Sequence, residues 1–436
     1  MSWELPLILI FGGMLFMMAT GIPIAFAFLT VVLIGAYALL GGLVGLEQVI
    51  LSITSTMTTF TLLPIPLFIL MGDLMVQSGI GMKVIDVLNK WLGKVPGRLG
   101  LLSVLSGTLL ATLTGASMAS TATLGSVLVP EMKKRGYSNF MTIGPILGSG
   151  GLAIMIPPSS LAIILGAIGE ISIGSILVAI IVPGVLMGLF YCAFIIIACL
   201  INPSMAPSYD VAPTPFLVKV VEFLRYVLPT GIIIFLVIGL IFFGVASPSE
   251  SAASGVVGML ILLVYYGRFK WTVLRESLRD TLKITGMVFM IIAGSQVYSQ
   301  ILAFSGATQG LIEYSTQLNL PPIMIVMLMQ VVILIMGCFM DPVGIMLITL
   351  PIFMPVIRSL GLSDVWFAAI MLLNIEMAMI TPPFGMCLFI MKGVVGEGAS
   401  MLEIYKAGAA FVGLQVLIMA IMLVYPPVVL WLPSAM

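Results

Sequence analysis

Residues 155–166 read MIPPSSLAIILG, and residues 379–390 read MITPPFGMCLFI. Each stretch sets two adjacent prolines inside an apolar run that otherwise has the character of a membrane helix. Proline has no backbone N–H, and its ring displaces the carbonyl one turn earlier, so a Pro-Pro pair ends or kinks a helix. At membrane depth such freed backbone is tolerated only where it is buried in protein or lines a watery cavity. Two such breaks in one chain therefore mark a site.

The breaks are related. Sliding the chain against itself by 225 residues lays Pro157 and Pro158 on Pro382 and Pro383, Pro23 on Pro248, Pro96 on Pro321, Pro130 on Pro355, and Gly136 on Gly361. The chain reads as two repeats, 1–201 and 226–436, joined over 202–225 by a Pro-rich polar linker. Residues 79–98 carry Lys83, Lys90, Lys94 and Arg98, whereas their counterparts, 304–323, carry no base and one acid, Glu313. Conversely, Arg268, Lys270, Arg275, Arg279 and Lys283 answer to the base-free residues 43–58. Basic loops face the cytoplasm, so equivalent loops lie on opposite sides and the repeats are inverted.

Composition sets the class. The chain has 436 residues, 61% hydrophobic and 8% charged, against roughly 25% charged in a soluble domain. Apolar runs long enough for a bilayer, about 20 residues, recur along its length, and the first lacks the basic flank and small-residue cleavage site of a signal peptide. The fold class is an all-α polytopic membrane protein, surrounded by membrane lipids. The absence of histidine removes imidazole chemistry and argues against an enzyme. Zero net charge without a basic tract leaves no nucleic-acid partner, and without a P-loop motif no ATP binds by that route. No cofactor is expected beyond a coupling ion. Cys192, Cys199, Cys338 and Cys387 lack metal spacing and read as core residues.

A topology follows. Crossings near 5–21, 24–40 and 50–78 precede an amphipathic interfacial helix over 80–95. Residues 98–131 are interrupted by TLTGASMAST and flanked by bases at both ends, which predicts a re-entrant hairpin. A broken helix over 138–168 crosses, and 175–200 crosses back. Repeating this unit upside down predicts about ten crossings with a second hairpin, 321–356, and a second broken helix, 365–392. Both termini are then periplasmic, and every basic residue except Arg358 is cytoplasmic.

Chemistry concentrates at the interruptions. The prolines are expected to free carbonyls over Leu152 to Met155 for a cation. The first hairpin tip, Thr114 to Thr121, offers hydroxyls and small residues, read either as a site or as tight helix packing. Ser149 and Asn374 are equivalent under the shift and both present oxygen, which suits a hard cation such as sodium. Asp341 at the second tip and Glu376 before the second break are costly to bury; each reads as an ion ligand or as a structural hydrogen-bonding acid.

The tip TGASMASTATLGSVLVPEMKKRGY, the broken helix GSGGLAIMIPPSSLAIILG, and MDPVGIM followed by ITPPFG together resemble the large membrane subunit of TRAP transporters, the tripartite ATP-independent periplasmic systems. The resemblance covers essentially the whole chain. It implies sodium-driven uptake of an organic acid, such as a C4-dicarboxylate or sialic acid, across the bacterial inner membrane. The expected partners are a periplasmic substrate-binding protein and a small membrane subunit of about four helices on a separate polypeptide. It also implies an elevator fold of the ion transporter superfamily, in which hairpins and broken helices slide against a scaffold. Carried over by position, one sodium site involves Ser117, Ser120, Ser149, Gly150 and Met155; its counterpart involves Gly337, Asp341, Asn374 and Thr381. Substrate lies near Ser159, Gly344, Pro383 and Phe384, its charge balanced by half-helix dipoles and sodium. The rival readings are a stand-alone dicarboxylate symporter and, in another class, a channel or membrane scaffold.

Overall fold

The computed structural model describes residues 3–93, 95–114, 117–207, 215–317 and 320–436. Gly115 and Ala116 of the expected hairpin tip lie outside the described residues, as do Lys94 and residues 208–214 of the linker. The described residues are helical, joined by turns, and hold no strand.

The first half runs α1 (Glu4–Ala19), α2 (Ile24–Leu39), α3 (Leu43–Met57), α4 (Pro64–Gln77), α5 (Ile80–Trp91), α6 (Arg98–Thr114), α7 (Ser117–Lys134), α8 (Asn139–Met155), α9 (Ser160–Gly169), α10 (Ile173–Ala179) and α11 (Ile181–Ile201). Residues of the expected linker form α12 (Phe216–Glu222), which enters α13 (Leu228–Phe242) through a π turn at Phe223–Val227. The second half continues α14 (Pro248–Tyr265), α15 (Trp271–Phe304), α16 (Ala307–Gln317), α17 (Pro322–Gly337), α18 (Pro342–Ser359), α19 (Asp364–Met379), α20 (Met386–Val395) and α21 (Met401–Val424).

Helix ends recur at the 225-residue shift. Displaced by that amount, the bounds of α7 fall on those of α18, and the start of α8 falls on the start of α19. The local cause recurs too: Ser138 accepts from the Met141 N–H at 3.3 Å, and its equivalent Ser363 accepts from the Trp366 N–H at 3.4 Å. Each serine thus caps its broken helix by satisfying a donor that the first turn leaves open.

One expected element differs. Residues 50–78 do not form a single helix; α3 ends at Met57 and α4 starts at Pro64. Thr59 is extended, and Pro64 and Pro66 cannot donate to a preceding turn. The counterpart α15 has no proline and runs unbroken for 34 residues.

Seven helices among the described residues are long and apolar enough to cross a bilayer, or eight if α8 and α9, bent by 44° at their break, count as one. Two expected crossings, α1 and α2, have 16 residues each, about 24 Å at 1.5 Å per residue. Glycines with positive φ end them: Gly21 (81°) after α1, and Gly41 (89°) after α2. Arg358, the one base expected on the far side, donates to Asp364 at 2.8 Å and to the Gly169 carbonyl at 2.9 Å. It thereby closes the C-terminal end of α9, where the dipole favours a cation.

The two halves interlock through their hairpins. Gly125 of α7 faces Val394 of α20, where a Cβ on the glycine would stand 3.0 Å from Val394 Cγ1. The shift-equivalent pair, Leu350 of α18 and Gly169 of α9, also meets. Residue exchange of this kind is the mark of a pseudo-two-fold relation. Along α8, residues 141–155 are buried, and along α19, residues 366–379. Around them, α11, α13 and α21 expose apolar side chains such as Leu189, Phe235 and Val416. Helices apolar on all faces suit either a core or a lipid boundary, and here the broken pair takes the core.

Candidate functional site

At the first break, α8 ends at Met155 and Ser159 caps α9 by accepting from the Ala162 N–H at 3.3 Å. The peptide bond between Pro157 and Pro158 is cis, as is that between Pro382 and Pro383. Not every carbonyl expected to be free is so. Leu152 accepts the Ile156 N–H at 3.0 Å, and the Met155 carbonyl packs against Gly184 of α11, leaving no room there for a Cβ. Pro157 and Pro158 withhold donors only from Ala153 and Ile154. Ser159 is wholly buried, so its hydroxyl serves the helix cap and does not face a solvent-filled space.

The second break is built from different groups. Thr381 Oγ1 donates to the Met377 carbonyl at 2.7 Å, and Tyr405 Oη donates to the Pro383 carbonyl at 2.9 Å. Phe384 is 50% exposed and packs its ring against Phe339 at 5.4 Å and Phe389 at 6.4 Å. Pro383 and Phe384 are therefore both exposed.

The first hairpin meets the break through Gly150. Its backbone lies against Thr121 Oγ1 and, at 3.3 Å from the position a Cβ would take, against the Ser117 carbonyl. Ser117 and Gly150 are thus brought together. Ser120, on the same helix, is buried. Ser149 turns the other way: its hydroxyl donates to the Ile146 carbonyl at 3.0 Å and stands 3.1 Å from Ser103 Oγ on α6. Its hydroxyl is spent on α6 and its own helix.

At the second hairpin, Asp341 caps α18, with Oδ2 accepting from Val343 N at 3.1 Å and Gly344 N at 3.3 Å. Its Oδ1 is buried without a hydrogen bond. Asn374 donates through Nδ2 to the Gln330 carbonyl at 2.6 Å and to Gln330 Oε1 at 2.9 Å, which leaves its own Oδ1 buried and unbonded. Gly337 packs directly on Ala378, one turn beyond Asn374 on α19. Gly344 stays with this group: a Cβ on it would stand 3.0 Å from Asp341 Oδ1, and 2.9 Å from Ile24 Cδ1 and 3.3 Å from Met18 Cε.

Two features escaped sequence reasoning. Gln330 is buried in an otherwise apolar run, and a lone amide there was the available clue. The other is a contact between halves: Ser117 Oγ donates to Glu376 Oε2 at 2.6 Å. Glu376 is wholly buried, and no spacing rule joins positions so far apart in the chain.

The profile of the family described as "Tripartite ATP-independent periplasmic transporter, DctM component" matches residues 11–428. The chain belongs to this family. A C4-dicarboxylate TRAP transporter large permease of Pseudomonas aeruginosa is 31% identical over 380 residues, covering 86% of each chain. The ectoine TRAP transporter large permease of Halomonas elongata is 27% identical over 420 residues, 96% of this chain and 97% of that one. Among solved structures, the YdaH transporter of Alcanivorax borkumensis superposes with a TM-score of 0.63 over 87% of this chain and 88% of that one, at 14% identity. At that identity the likeness is one of fold. TRAP membership makes the chain a multi-pass membrane permease for solutes, not an enzyme, and one component of a three-part transporter.

Proposed function

We propose that this TRAP permease drives uptake of a small organic acid across the bacterial inner membrane with a sodium gradient, the solute being delivered by a periplasmic binding protein. A small membrane subunit of about four helices completes the assembly, and both termini of this chain face the periplasm. Both hairpins and both broken helices form the moving unit of an elevator, and the remaining helices form its scaffold.

The observations that carry the sodium reading are two buried, unbonded oxygens of the second half: Asp341 Oδ1 at the hairpin tip and Asn374 Oδ1 on the helix before the break. A buried acceptor without a donor is costly, and a hard cation supplies what the protein does not. Solute is placed at the exposed edge of the second break, by Pro383 and Phe384, where half-helix N-termini favour a carboxylate. The C4-dicarboxylate relative supports an acid; the ectoine relative leaves the particular solute to the binding protein.

Reconstitution in proteoliposomes with both partners tests the proposal. Uptake is expected only with an inward sodium gradient and the binding protein present, and Asn374→Ala is expected to weaken sodium dependence more than Ser149→Ala. Uptake without the binding protein would make the chain a stand-alone symporter, and unsaturable downhill flux would make it a channel.

A further inference from the structure

Glu376 is a wholly buried acid that the two halves share. Its Oε2 accepts from Ser117 of the other half, whereas Oε1 is buried without a hydrogen bond. None of the ion pairs among the described residues involves it. A buried carboxylate without a counter-charge is among the costliest arrangements in a protein, and in a membrane it marks function.

Its surroundings are shaped around that oxygen. A Cβ on Gly151 would stand 2.7 Å from Glu376 Oε1, so the carboxylate rests on bare backbone of α8. Gly151 and Glu376 are equivalent under the 225-residue shift, which places their contact where the two halves meet. One turn from Ser117, on the same face of α7, Thr121 is wholly buried. Its Oγ1 makes no hydrogen bond of normal geometry, and the Cys387 thiol lies beside it. Cys387 in turn lies within electrostatic reach of Glu376. Thr121 Oγ1 lies against Gly150 and Glu376 Oε1 against Gly151, adjacent residues of α8, so two buried oxygens from α7 and α19 border the same bare backbone, each without a hydrogen bond.

We infer that Glu376, Thr121 and Ser117 form a further cation site between the halves, one that takes a single monovalent ion of sodium type. One carboxylate balances one positive charge, and no group of three or more His, Cys, Asp or Glu exists among the described residues to hold a multivalent metal. Oxygen donors suit a hard cation. The site shares Ser117 with the first of the two expected sodium sites, but each of those drew on one half alone, whereas this one belongs to both halves at once: an ion there fastens the first hairpin to the second broken helix. This inference rests on the sodium-driven reading of the protein.

The test uses the complete transporter with its partners in proteoliposomes and reads half-saturating sodium together with sodium per solute from reversal potentials. Glu376→Gln keeps the shape and removes the charge; Thr121→Val keeps the shape and removes one oxygen without touching a charge. Both variants are expected to raise half-saturating sodium, Glu376→Gln by about tenfold or more, and Glu376→Gln to lose one sodium per solute. As a readout independent of transport, sodium chloride is expected to raise the melting temperature of the purified wild type relative to choline chloride, and to do so less in Thr121→Val. Unchanged sodium affinity and stoichiometry in both variants would overturn the inference while leaving sodium-driven uptake intact. A Glu376→Gln effect on pH dependence alone would assign the group to a proton. A wild type indifferent to sodium would instead remove the reading on which the inference rests.

Discussion

Replacing Gly125 and Val394 by cysteine tests the interlock of the halves directly. A Cβ at Gly125 would lie 3.5 Å from the Cβ of Val394, at the near edge of the roughly 3.5–4.5 Å range that disulfides occupy. The cross-link should therefore form under mild oxidation, in a background whose four free cysteines have been changed to alanine. It closes a loop of about 270 residues, for which chain-entropy accounting gives between about 5 and 6 kcal/mol. A protease site after Pro207 supplies the assay. Once cut, the halves should run together on a non-reducing gel and separate with reductant, and the oxidised protein should melt several degrees higher. Uptake should survive, because in the proposed elevator α7 and α20 travel together. Failure to cross-link would refute the packing of α7 on α20. Cross-linking with abolished uptake would refute the assignment of both helices to one moving unit.

Two further outcomes are expected. Gly148 lies so close to the Phe411 ring that a methyl group has no room, so Gly148→Ala should destabilise by about 1–3 kcal/mol through overpacking; a thermal melt checks this, and Phe411→Leu added to it should recover part of the loss. Asp341→Ala removes the cap of α18 and should cost about 1 kcal/mol, whereas Asp341→Asn keeps a capping oxygen and should melt near the wild type. If Asp341 also binds the ion, Asp341→Asn should still raise half-saturating sodium; an unchanged sodium response would leave it a cap alone.

Much of this chain was legible without coordinates because its punctuation acts locally. Proline withholds its own N–H and displaces a carbonyl one turn away, and a serine cap reaches the third residue beyond it, so Pro157, Pro382, Ser138 and Ser363 place helix ends wherever they occur. The break between α3 and α4 was equally written in Pro64 and Pro66, though an apolar run across residues 50–78 masked it. Partners of buried oxygens are another matter. Ser149 and Asn374 are equivalent by position, yet one turns to Ser103 and the other to Gln330, because different helices pack beside them. Ser117 and Glu376 lie 259 residues apart and share a hydrogen bond. Helix ends depend on interactions within about one turn, which a sequence displays; the company a buried carboxylate keeps depends on how helices from both halves pack, which only the tertiary structure decided.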